Sequence, residues 1–253
     1  MTEHRLLNIF YSSRLRACPY LSGRRERIVA TELTGASAKQ LYEAGSSSGF
    51  RRSHNLLYRP ACPRCDACVP VRVVAKEFKA TRSMRRVLRI NADVVGDPEP
   101  RGDTGEAPPH ANEEQYLVFA RYQRARHANG AMNGMDFDDY RAMVEESPVA
   151  TTLTEFRTPR GSLLGGLLAD RLGDGLSAVY SFFDPDLRKE GFGTYMVLWL
   201  IERAKRLDLS YVYLGYWIAD SPKMAYKTRF RPLEALGPEG WRILHRAPTT
   251  TAT

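Results

Sequence analysis

The sequence predicts an α+β fold in which a mixed α/β N-terminal unit precedes a C-terminal unit built on one strand–loop–helix–strand segment. Three observations carry this. Residues 178–183 alternate as a strand does, while Tyr195, Leu198, Ile201 and Ala204, backed by Val197 and Leu200, return at helical spacing. Gly191 and Gly193 lie between them, just before the helix, and a second apolar strand follows at 211–216. Finally, 96–109 is rich in turn formers and poor in apolar residues, which marks a boundary. The division expected is 1–95, a connector or surface loop at 96–111, and 112–253.

At 253 residues the chain is long enough to bury a substantial core. Its 43% hydrophobic and 26% charged content describe an ordinary folded protein and exclude a disordered one. No apolar run approaches the length that spans a bilayer, and the polar stretch 1–20 has no signal-peptide core, so a cytoplasmic protein without membrane contact is expected. Formal net charge is +8, and the arginines cluster at 24, 25 and 27, at 51 and 52, and at 82, 85, 86 and 89. Such clusters suit phosphate contacts, although each also reads as a solvated basic surface.

In chain order, 26–33 reads as a strand and 38–44 as a short helix ending in the turn 45–49. Residues 50–59 form a strand or hairpin arm that stops at Pro60, 69–74 another strand, and 83–91 a basic helix with Met84, Val87 and Leu88 inward. Beyond the connector, 112–127 opens on Asn112-Glu-Glu and closes on basic residues, complementing its dipole. A second helix covers 136–146. Strands at 149–157 and 162–172 flank the hairpin signal Thr158-Pro-Arg-Gly161, and the segments 231–236 and 240–245 add short strands at the end.

All four cysteines fall in the first third: Cys18, then Cys62, Cys65 and Cys68 in a Cys-x2-Cys-x2-Cys run. In a reducing compartment this is not a disulfide framework. The spacing lets three thiolates converge on one ion with Cys18 completing a tetrahedral set, and His54 is an alternative ligand. Zinc, an iron–sulfur cluster and reduced thiols packing a knuckle all remain open.

The glycine loop presents unpaired backbone N–H groups and a positive dipole end to an anion. Strand, Arg188-x-x-Gly191-x-Gly193, helix, strand is similar to the acyl-carrier loop of GNAT-type acyltransferases. More widely, Cys18-Pro-Tyr-Leu21, Gly49-Phe-Arg-Arg-Ser53, Tyr58-Arg-Pro-Ala-Cys62, Ser181-Phe-Phe-Asp-Pro185, Tyr213-Leu-Gly-Tyr-Trp217 and Met224-Ala-Tyr-Lys227 stand in one order along the chain. With these the chain resembles the bacterial leucyl-tRNA–protein transferases of the N-degron pathway, relatives of the arginyl-tRNA–protein transferases. The resemblance implies a family-specific N-terminal domain before a GNAT-like one. It also implies transfer of leucine from leucyl-tRNA to proteins beginning with Asp or Glu, which marks them for degradation. The same reaction with arginyl-tRNA, and CoA-dependent N-acetylation, are the alternatives.

Aminolysis of an aminoacyl ester runs downhill and needs no nucleotide or cofactor. An α-amine with a reference pKa near 7.7–8.0 is partly neutral at pH 7, so positioning and oxyanion stabilisation supply much of the rate. On that chemistry Arg51 and Arg52, with Arg229 as a second candidate, are expected to fork onto the substrate's acidic side chain. Tyr216 and Lys227 meet the terminal adenosine or the oxyanion, and Asp184 accepts the amine's proton. Arg188 with the amides of Gly191, Gly193 and Thr194 holds phosphates of the tRNA acceptor end. Met224, Phe182 and Phe183 wall the leucyl pocket.

Overall fold

A computed structural model describes residues 9–96, 109–128, 130–187 and 191–245. In its first part β1 (Tyr11–Ser12), β2 (Arg16–Ala17), β3 (Arg25–Glu26) and β4 (Ile28–Glu32) precede α1 (Ala38–Ser47), β5 (Arg51–Ser53) and β6 (Leu56–Pro60). There follow β7 (Val69–Val74), α2 (Arg82–Ile90), β8 (Val95–Gly96), α3 (Glu113–Arg126) and α4 (Phe137–Glu145). Next come β9 (Thr151–Arg157), β10 (Leu163–Arg171), β11 (Gly175–Phe183), α5 (Phe192–Arg206) and β12 (Tyr211–Trp217). A 3-10 helix, Pro222–Arg229, leads to β13 (Leu233–Gly237) and β14 (Gly240–Ile243).

The helices start where their first-turn amides find side-chain acceptors. Asn112 and Gln115 make a reciprocal capping box on α3, as Asp136 and Asp139 do on α4, and Thr81 caps α2 through the Met84 amide. Most helices and strands fall where the hydrophobic periodicity placed them.

The strands assemble into a small antiparallel sheet ordered β1-β4-β6-β5, a β2-β3 hairpin, and an eight-stranded sheet ordered β14-β13-β7-β12-β11-β10-β9-β8. In the large sheet only β11 and β12 run parallel. This is what a β11–α5–β12 crossover requires, since a parallel return needs a helix-length connection. Its strand β10, between β11 and β9, is buried from Leu163 to Asp170. On one side Phe119, Tyr140 and Phe182 form an aromatic core beneath α3 and α4; on the other Met196, Leu198 and Ile201 of α5 pack with Val73, Val212, Phe230 and Leu233.

The large sheet draws strands from both sides of the division expected at residue 95. Strand β7, expected in the N-terminal domain, sits between β12 and β13 in the large sheet; β8 pairs with β9, and Met84, Val87 and Leu88 of α2 join the core under α5. The two sheets separate between β6 and β7. Pattern gave the existence of β7 but not its neighbours, because a strand buried on both faces pairs equally well by composition with either sheet. Most of the expected connector, 97–108, lies outside the described residues. Among the described residues no helix is long and apolar enough to cross a membrane.

Candidate active site

β11 and β12 are hydrogen-bonded over only three registered pairs, Gly175↔Tyr211 to Ser177↔Tyr213. Beyond them the strands part: β11 stays with β10 up to Phe183, and β12 stays with β7 up to Trp217. Splaying a sheet strips ladder partners from the facing carbonyls, and a buried carbonyl left alone is costly. Two cations repair this edge. Arg51 Nη2 donates to the carbonyls of Ala178 at 2.7 Å and Val179 at 3.4 Å on β11. Across the gap, Lys227 Nζ donates to the Tyr216 carbonyl of β12 at 2.5 Å.

Gly215 makes room for Arg51. Its φ is +74°, and a Cβ there would stand 1.7 Å from Arg51 Nη1. A glycine inside an apolar strand signals such a close approach. Replacing Gly215 by Ala is therefore expected to expel the guanidinium, lower the melting temperature by several degrees and cut activity more than tenfold. A thermal melt alongside an initial-rate assay measures both; an unchanged pair of values would mean that Arg51 has no fixed place in the splay.

Lys227 is only 6% exposed. Burial, with the charge of Arg51 beside it, lowers its pKa to about 7, so near neutrality much of it is an uncharged amine. Met224 (half-buried) and Arg229 (exposed) ride on the same 3-10 helix. Tyr216 has a different task from the one expected. Its hydroxyl donates to the Gly49 carbonyl at 2.9 Å, and burial pushes its pKa up, so it stays protonated and clips β12 to the chain entering β5.

The glycine loop lies at one end of α5. Gly191 is the N-cap at φ +75°, and a Cβ on it would come within 2.9 Å of a Val87 methyl, so α2 packs directly against the loop. Gly193 has only ordinary contact ahead of it, the Phe183 ring at 3.5 Å. The N-cap Gly191 offers no side-chain cap to the first turn of α5, where Thr194 is half-buried. Arg188 lies outside the described residues.

Three further expected roles are corrected. Arg52 is not available to a substrate: it is 4% exposed, and its Nη2 and Nε reach the two Asp170 oxygens at 2.6 and 2.7 Å. Asp170 also accepts from Tyr42 and Thr151 at 2.7 and 2.6 Å. Asp184 is not a base, because it is ion-paired with Arg121. Partial burial disfavours its charge, yet Arg121 and the Asp186 amide outweigh this and hold the carboxyl below its usual range. Phe182 is 1% exposed and packs against Phe119 and Tyr140, so it belongs to the core and not to a leucyl pocket.

Cys18, Cys62, Cys65 and Cys68 all line one cavity of about 340 Å³, with Tyr58 and Tyr216 on its wall. Burial and the neighbouring Cys62, Cys18 and Cys65 push the Cys68 thiol up to about 11. The donor types suit zinc or an iron–sulfur cluster. As they stand, however, the thiols do not close on one point: among the described residues no group of three or more His, Cys, Asp or Glu is placed to hold a metal ion.

Residues 16–86 match the family model for the arginine-tRNA-protein transferase N terminus, and residues 114–237 that for its C terminus. The chain is thus an enzyme of the aminoacyl-tRNA–protein transferase class. The chain is 53% identical over 235 residues to the aspartate/glutamate leucyltransferase of Paramagnetospirillum magneticum, covering 93% of each. It is 49% identical to the one of Gluconacetobacter diazotrophicus (97% of this chain, 91% of the other) and 48% to that of Rhodospirillum rubrum (92% of each). The chain belongs to the aspartate/glutamate leucyltransferase family.

Proposed function

We propose that this enzyme transfers leucine from leucyl-tRNA to the N-terminal α-amine of proteins beginning with Asp or Glu, in the cytoplasm where charged tRNA is made. The reading is carried by the names of relatives that match across more than nine-tenths of the chain, and the splay supplies its chemistry. The substrate amine attacks the ester carbonyl carbon. A C–N bond forms, the bond from that carbon to the tRNA ribose oxygen breaks, and the amine's proton must leave.

Lys227 takes that proton. As a neutral amine it keeps one N–H on the Tyr216 carbonyl and offers its lone pair, and it passes the proton to the departing ribose oxygen. With Nη2 of Arg51 spent on β11, its other nitrogens face the negative charge that develops on the carbonyl oxygen. First-turn amides of α5 serve the acceptor-end phosphates.

The test is direct. Leucyl-tRNA labelled in the amino acid, incubated with peptides beginning Asp, Glu or Ala, should give labelled product with the first two only. Arginyl-tRNA or acetyl-CoA in its place should give none. Transfer from either of those donors and not from leucyl-tRNA overturns the reading.

A further inference from the structure

Helix α2 carries Arg82, Arg85, Arg86 and Arg89 and not one acidic residue. All four are exposed, while Met84, Val87 and Leu88 hold the opposite face against the core under α5. The spacing i, i+3, i+4, i+7 places them in one stripe along the helix. Within it the pairs 82/85 and 85/89 set like charges on adjacent turns, an arrangement that weakens a helix. A solvated basic face ordinarily interleaves both signs. Position adds to this, because Val87 lies against Gly191, the N-cap of α5. Helix α2 therefore borders the glycine loop through its inner face and carries the arginine stripe on its outward one.

Resting on the function proposed above, we propose that the α2 stripe is the docking surface for the sugar–phosphate backbone of the tRNA acceptor stem, guiding its 3′ end toward the β11–β12 splay. Arginine suits the task, since its planar fork matches phosphate oxygens and is weakly hydrated. The stripe reads charge and not sequence, so it contributes affinity and leaves the choice of amino acid to the splay.

Binding of a fluorescent, uncharged leucine tRNA transcript, followed by anisotropy across a salt series, tests this. An Arg82→Glu/Arg89→Glu variant should bind at least tenfold more weakly at low salt. The slope of log affinity against log salt should fall in magnitude by roughly 1.5, the release expected for two lost phosphate contacts. An Arg82→Gln/Arg89→Gln variant should show a smaller loss in the same direction, and it decides between the outcomes if the charge reversal disturbs folding. The KM for an Asp-initiated peptide should stay unchanged. Unaltered tRNA affinity with a raised peptide KM would reassign the stripe to an acidic protein surface, and no change in either would leave it a solvated face; both overturn the proposal. A wild-type enzyme that transfers leucine while both variants bind tRNA normally sinks only the stripe. A wild-type protein that binds no tRNA removes the function and the stripe together.

Discussion

An Asp170→Ala variant is expected to lose about 3–5 kcal/mol of stability, because it strands the Arg52 guanidinium in a dry site. The Asp170 and Arg52 side chains are 0% and 1% exposed, and Asp170 is the acceptor for Tyr42, Thr151 and both arms of Arg52. Arg52 stands on β5 of the small sheet and Asp170 on β10 of the large one, so the cluster fixes one sheet against the other. For a chain of this size each kcal/mol corresponds to roughly 2–4 °C, which predicts a melting temperature lower by about 10 °C. Adding Arg52→Met should recover much of the loss, since the penalty lies in the unpaired charge and not in the missing attraction. The two origins separate cleanly in one experiment. If Arg52 bound the substrate carboxylate, Arg52→Met alone would raise the peptide KM with little effect on the melt; the buried cluster predicts the reverse.

Arg51 and Arg52 show what a sequence conveys and what it withholds. Neighbouring arginines on a strand point to opposite faces, so their fates had to differ. Which of them meets a buried acid depends on the packing of β5 against β10, and the partner Asp170 lies 118 residues away. Nothing local marks it. The β11–α5–β12 unit was legible because its signals are local: alternation, helical spacing and a glycine at a helix mouth. The splay was half legible. Gly215 inside Tyr-Leu-Gly-Tyr announces a close approach, but not that the approaching group is Arg51. Asp184 failed for a related reason. Asp-Pro at a strand end reads as a turn or a base, and only the fold brings Arg121 of α3 to it.

Lys227→Met is expected to lower kcat by about 10²–10⁴-fold, the usual worth of a positioned proton acceptor, with little change in the KM of peptide or tRNA. The pH dependence identifies the role. With a pKa of about 7, Lys227 gains its lone pair as pH rises through neutrality, so the wild-type rate should climb between about pH 6 and 8. The substrate α-amine titrates slightly higher and steepens the climb. In the Met variant only the substrate's ionisation remains, so the residual rate should follow a single, later step. Lys227→Arg should not rescue, because guanidinium never releases its proton at these pH values.

Stability supplies a second readout that is independent of substrate. The folded pKa of about 7 lies below the reference value of about 10.4 for an exposed lysine. Between those limits the unfolded chain binds the extra proton, so Lys227 adds stability as pH rises from about 7 to 10, by up to about 1.4 kcal/mol per unit. Below pH 7 both states are protonated and the burial cost is constant. Lys227→Met should flatten this slope. A Met variant that keeps the wild-type slope and rate would remove Lys227 from the chemistry; a wild-type rate that falls above pH 7 would instead make its protonated form the active one, holding the oxyanion, and the proton would have to leave through the ribose oxygen or solvent.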